Sequence, residues 1–136
     1  MHRPLVAILL LCSASAASAA EVTGNWVTQD KSAVIAIQKC GAGLCGNVAK
    51  ILILKPEHPK NDVHNPDPGL RAKPILGLRI LSGFSGSGGR WDNGRIYDPT
   101  SGKSYKSKLR LNSDGSLNVS GCISFFCKTQ RWTRAR

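Results

Sequence analysis

Between Lys103 and Leu111 the chain alternates without a break. Tyr105, Ser107, Leu109 and Leu111 fall on one side, and Ser104, Lys106, Lys108 and Arg110 on the other. A period of two is the repeat of an extended strand, whose successive side chains leave opposite faces. The segment is therefore predicted to be a strand with one buried face and one wet, basic face. Just before it, Asp98-Pro99-Thr100-Ser101-Gly102 carries the chemistry of a turn. Pro99 presets one φ, Gly102 permits a positive φ, and the Asp98 side chain can accept from nearby backbone N–H groups. With Arg90–Tyr97 leading into that turn, the stretch reads as a hairpin in an antiparallel sheet.

The rest of the chain supplies further strands. Gly24–Thr28 opens the sheet and Gln29-Asp30-Lys31 turns it. Ser32–Lys39 alternates, with Ile35 and Ile37 opposite Val34, Ala36 and Gln38. Cys45–Leu54 is β-rich, Ile75–Leu81 is a weaker strand containing Gly77, and Ser82–Gly89 reads as a flexible connection. Asn112-Ser113-Asp114-Gly115 is a turn with Asp-Gly at its centre. Ser116–Cys122 and Cys127–Arg134 complete the set. Lys55–Pro74 holds five of the seven prolines and excludes a central strand. Within it Asp67 can cap, and Pro68 can start, a short helical turn through Arg71. So many strands in a small domain are most easily satisfied by closing the sheet, which removes its edges. The expected fold is all-β: one antiparallel barrel of seven or eight strands with one long Pro-rich loop. A β-sandwich is the alternative.

Residues 1–20 fit a secretory signal peptide, with His2 and Arg3, an apolar run from Leu5 to Leu11, and a small-residue tail ending Ala17-Ser18-Ala19-Ala20. Cleavage after Ala20 leaves 21–136 as a single domain of 116 of the 136 residues, and loss of Arg3 takes the formal charge from +11 to +10. A basic exported protein is drawn to anionic partners, and export argues against nucleic acid. No apolar run after residue 20 reaches membrane-spanning length. A soluble, monomeric, periplasmic or secreted protein is expected. Cys40, Cys45, Cys122 and Cys127 then form two disulfides. Of the three connectivities, the local one is expected, Cys40 with Cys45 and Cys122 with Cys127. A four-cysteine zinc site fits neither the compartment nor the spacing.

Two resemblances extend this reading. Gly24-Asn25-Trp26 resembles the G-x-W start of lipocalins, in which an arginine from the last strand lies across that tryptophan. The resemblance implies this part for Arg134 or Arg131, beside Trp132. Over nearly the whole chain after residue 20, the sequence is similar to a bacterial secreted family, domain-of-unknown-function family 2147. The matching pieces are Gly24–Trp26, Cys40–Gly46, Asn65-Pro66 with Arg71–Gly77, Ile96–Pro99 with Gly102–Tyr105, and Trp132–Arg134. Lys73 departs from a pattern that commonly has arginine there. The resemblance implies a small lipocalin-like barrel in the cell envelope and brings no activity with it.

The candidate ligand-binding residues are Asn65, Arg71, Lys73, Tyr97, Asp98 and Tyr105. Arg71 and Lys73 would be presented to an anion by a loop folded over one barrel mouth. Tyr105, Leu109 and Leu111 would face the interior, with Tyr97 and Asp98 beside the turn. In the competing reading Asp62, Asn65 and Arg71 bond one another and the loop backbone, holding the Pro-rich cover in place. His58 and His64, with Asp62 and Asp67, match no standard metal motif, so no metal or cofactor is expected. Catalysis lacks support too. There is no G-x-S-x-G, no evident acid pair, and Gly102-Lys103-Ser104 fails as a phosphate loop because Tyr97 stands where its first glycine is required. The expected function is binding of a small apolar or anionic ligand. The alternative is an interaction module whose basic face (Lys103, Lys106, Lys108, Arg110) or loop holds an anionic envelope polymer or a secreted partner.

Overall fold

A computed structural model describes residues 1–10, 22–56 and 59–136. Residues 11–20 of the predicted leader, and His58, fall outside them. Eight strands follow one another: β1 (Gly24–Val27), β2 (Ala33–Cys40), β3 (Gly43–Ile51), β4 (Arg79–Ser87), β5 (Arg90–Asp98), β6 (Lys103–Leu111), β7 (Leu117–Ile123) and β8 (Phe126–Arg134). Each pairs antiparallel with the next, and β8 returns to β1, giving a closed up-and-down barrel. The sandwich alternative is thereby set aside.

The inward face can be read across the strands in rows. Leu111, Leu117 and Trp132 form one row, and Trp91, Leu109, Val119 and Gln130 the next. Above them come Gly94, Ser107, Gly121 and Lys128, and then Ile96, Tyr105, Ile123 and Phe126. The two lower rows lie toward the end that carries the β2–β3, β4–β5 and β6–β7 turns. Here Trp26, Phe84, Trp91, Leu109 and Leu117 are buried at 0–1% exposure and plug the barrel. The other connections, including the long β3–β4 loop, stand at the opposite end.

Two expectations about strands are corrected. β3 stops at Ile51, and Leu52–Leu54 leave the sheet as an exposed segment that donates two backbone bonds to the Ser32 carbonyl. The Gly/Ser-rich stretch expected as a flexible connection is the body of β4. Of its two glycines, Gly83 would bring an added Cβ no closer than 3.8 Å to a neighbour, whereas Gly86 marks a close approach rather than slackness. An added Cβ at Gly86 would lie 2.1 Å from the Arg90 carbonyl oxygen. Between them the Phe84 ring crosses to β5 and lies on Gly94, where an added Cβ would sit 2.3 Å from two ring carbons. Gly94 is therefore the floor on which a core aromatic rests.

The seam between β1 and β8 has two ladder positions, Trp26 opposite Arg134 and Val27 opposite Thr133. The Arg134 guanidinium stands 4.1 Å from the centroid of the Trp26 ring and donates to the Thr23 carbonyl at 2.8 Å. Of the two arginines weighed for this place, Arg131 instead pairs with Asp114. Both disulfides are the local ones, Cys40–Cys45 on the β2–β3 hairpin and Cys122–Cys127 on the β7–β8 hairpin.

Overpacking a filled core costs about 1–3 kcal/mol. Gly94→Ala should therefore lower stability by that measure, read as a lower urea midpoint with an unchanged slope, because Phe84 has nowhere to retreat. An unchanged midpoint would show that Phe84 does not rest on Gly94.

Candidate functional site

The end of the barrel opposite the plug is hollow. A cavity of about 460 Å3 has Ile35, Val48, Ile80, Ile96 and Val119 as walls and Trp132 as floor. The reason lies in the row that includes Gly121. This glycine brings no side chain, and a Cβ built there meets Ile96 and Tyr105 only at ordinary contact distances of 3.6 and 3.7 Å. Around the mouth stand Asp30 and Ser32 from the β1–β2 turn, Pro59 and Ile75 from the β3–β4 loop, Tyr97–Thr100 from the β5–β6 turn, and Ile123, Phe126 and Lys128 from the β7–β8 hairpin.

The β3–β4 loop is a built structure. Asn61 and Pro74 form a bridge, and the Asp62 N–H donates to the Lys73 carbonyl at 2.9 Å. Pro68–Leu70 makes the predicted short turn, a 3-10 helix capped by Asp67, whose side chain accepts from the Gly69 N–H. The loop is tied to the barrel by Asp62. Only 1% exposed, this carboxylate accepts from the Tyr97 hydroxyl at 2.7 Å and from the Asn65 amide at 2.9 Å. A buried carboxylate needs such partners. Burial, and then the bond to Asp62, pushes the Tyr97 phenol well above its ordinary value of 10.0. A second tie is steric. The His64 carbonyl lies so close over Gly102 (φ +72°) that a Cβ there would come within 1.8 Å of it.

These contacts sort the predicted site residues. Tyr97, Asp98 and Tyr105 line the cavity; Asn65, Arg71 and Lys73 do not. The Arg71 Nε donates to the Asn65 carbonyl at 2.7 Å, and Asn65 also accepts from the Asp67 N–H. Their contacts are those of the competing reading, in which the cluster holds the loop. Leu109 sits in the plug, and Leu111 packs beside it, partly buried. Asp98 accepts from the Thr100 N–H and from the Thr100 and Ser101 hydroxyls, so its charge is engaged in its own turn. Of the outer basic stripe, Arg110 pairs with Asp92 at 2.7 Å and donates to the Trp91 and Leu109 carbonyls. Among the described residues, no three of His, Cys, Asp or Glu gather as a metal site.

Lys128 was missed. It faces inward opposite Gly121 at the cavity mouth, and its ammonium has no side-chain partner among the described residues. The signal was present, because a buried Trp132 on β8 puts Gln130, Lys128 and Phe126 on the same face.

Tyr97→Phe should cost about 1–3 kcal/mol, the penalty for leaving a buried polar group short of a partner. The sign with pH follows from the raised phenol. Its contribution is complete below pH 10 and fades as pH climbs through the higher folded value. Alkaline denaturation series should therefore find the wild-type advantage over Tyr97→Phe narrowing above pH 10. A gap constant with pH would mean that the hydroxyl does not bond Asp62.

The architecture has a counterpart among solved structures. Protein HP1028 from the human pathogen Helicobacter pylori, described as belonging to the lipocalin family, superposes with a TM-score of 0.75 at 24% identity, covering 84% of this chain and 82% of that one. No curated protein matches the chain. Residues 24–134, which run from the first strand to the last, match a family described as "Uncharacterized protein conserved in bacteria". The chain belongs to that family, DUF2147, and its fold is the lipocalin-like barrel.

Proposed function

We propose that the protein is an exported, monomeric carrier of a small amphipathic molecule with an apolar body and an acidic head. The observation that carries this reading is the cavity itself, of a size that suits small ligands and walled by isoleucine, valine and tryptophan. The apolar body fits between Ile35, Val48, Ile80, Ile96 and Val119, over Trp132. The head meets Lys128 at the mouth, with Tyr105 lining the same opening. Asp30 and Asp98 also stand at the mouth, but their carboxylates accept hydrogen bonds within their own turns, and among the described residues Lys128 is the cation that lines the cavity. Asn65 and Arg71 serve the ligand indirectly, by holding the loop whose Pro59 and Ile75 complete the rim.

Several further points agree with this reading. Two disulfides suit an oxidising compartment, in keeping with a periplasmic or secreted location. A carrier needs no catalytic pair, and Asp62 and Asp98 are each engaged in holding structure. The interaction-module reading draws less support, since Arg110 of the basic stripe is already paired with Asp92.

The test is titration with a fluorescent long-chain carboxylate and with the matching alcohol. Lys128→Ala should weaken the carboxylate about tenfold, on the scale of one charge-assisted contact, and leave the alcohol nearly unaffected. Gly121→Leu, which fills the cavity, should abolish binding of both. Equal binding of the two probes to wild type and both variants would overturn the proposal.

A further inference from the structure

The large apolar side chains that β3–β8 and their connections leave exposed gather at the open end. Phe125 is 101% exposed, Phe126 83% and Ile123 67% on the β7–β8 hairpin. On the β3–β4 loop Leu54 is 69% exposed and Leu76 56%. β3 and β7 are four strands apart in a barrel of eight, so the two groups face each other across the mouth. They are carried on the tips of a turn and a loop. Such tips suit insertion into a soft medium better than docking on a flat protein face.

The surroundings say which medium. Lys31, Lys50, Lys55, Lys60, Lys103 and Lys128 stand on the turns and strand ends of this same end. Among the described residues the acids near them are engaged: Asp62 is buried, Asp67 caps the 3-10 turn, and Asp30 and Asp98 accept bonds within their own turns. Apolar tips ringed by lysine are the pattern of interfacial membrane binding, in which aromatic and aliphatic side chains enter the headgroup boundary while cations meet anionic lipids. The Cys122–Cys127 bridge closes the strand pair just behind Phe125, so the tip is presented already ordered.

We propose that the open end of the barrel docks on an anionic phospholipid bilayer, with Phe125 and Leu54 entering the interface and the cavity mouth held against the lipid surface. Ile123 and Phe126 belong to both the exposed rim and the cavity wall. An apolar path therefore runs from the docked surface to the interior. This goes beyond carriage of a ligand and is testable without one.

The experiment is sedimentation of the protein with vesicles of phosphatidylglycerol and phosphatidylcholine, compared with phosphatidylcholine alone. Wild type should partition to the anionic vesicles at least tenfold better, and salt should weaken it. The double variant Phe125→Ser/Leu54→Ser changes two exposed side chains outside the cavity lining. It should keep the wild-type circular dichroism and carboxylate-probe affinity while losing about tenfold or more in partition. Phe125→Trp supplies a depth probe, because Trp26, Trp91 and Trp132 are buried at 0–1% exposure. Its emission should shift to the blue on anionic vesicles and be quenched by brominated lipid. No partition of wild type, or equal partition of the double variant, would overturn the proposal. So would a wild-type dimer that Phe125→Ser dissociates while neither form binds vesicles, for the apolar tips would then belong to a second copy.

Discussion

The barrel depends on the contact between Trp26 and Arg134. Every other pair of neighbouring strands is joined by a turn or loop and zipped over several residues, whereas β1 has four residues and meets β8 at two ladder positions. Hydrogen bonds alone make a short seam. The indole adds a completely buried ring with its Nε1 donating to the Val22 carbonyl, and Arg134 covers that ring from outside while reaching the Thr23 carbonyl. A cation over an indole contributes about 0.5–2 kcal/mol, the larger value when water is excluded. The seam also decides whether the sheet has edges. Open it, and β1 and β8 each present unpaired N–H and C=O groups, and the cavity loses part of its wall.

The closed barrel divides its interior by side-chain volume. One end takes three tryptophans and a phenylalanine, and is full. The other takes isoleucine, valine and one well-placed glycine, and is hollow. Covering the hollow end requires a long loop, which brings backbone groups and a carboxylate into a place where water is scarce. Asp62 answers that need, because a single side chain accepts from the barrel through Tyr97 and from the loop through Asn65. The same bond that fastens the cover also holds Tyr97 at the cavity rim.

Much of this could be read beforehand, and what could not has physical causes. The β6 alternation and the Asp67-Pro68 start of a 3-10 turn depend on local pattern, and the tryptophan–arginine seam was implied by the resemblance of Gly24-Asn25-Trp26 to lipocalins. β4 was obscured because a one-dimensional pattern shows the flexibility of its glycines but not the Arg90 carbonyl that crowds Gly86 from the neighbouring strand. Lys128 was obscured by its charge. Alternation places it inward as firmly as Trp132, yet a lysine on a barrel's inner face is expected only at a mouth. Alternation gives the face of a residue and says nothing of its height. Height comes from the stagger between strands, and it separates Leu109 in the plug from Tyr105 in the cavity although both point inward.

Because neighbours in the barrel are neighbours in the chain, each hairpin from β1 to β8 can form with little loss of chain entropy. The seam is the exception: Arg134 and the Thr23 carbonyl are 111 residues apart in sequence. The sheet can curl hairpin by hairpin, but it acquires an inside only when its last strand finds its first. The same order runs backwards. A fluctuation that parts β1 from β8 would open the cavity to solvent while leaving every hairpin standing, so reaching the interior requires far less than unfolding.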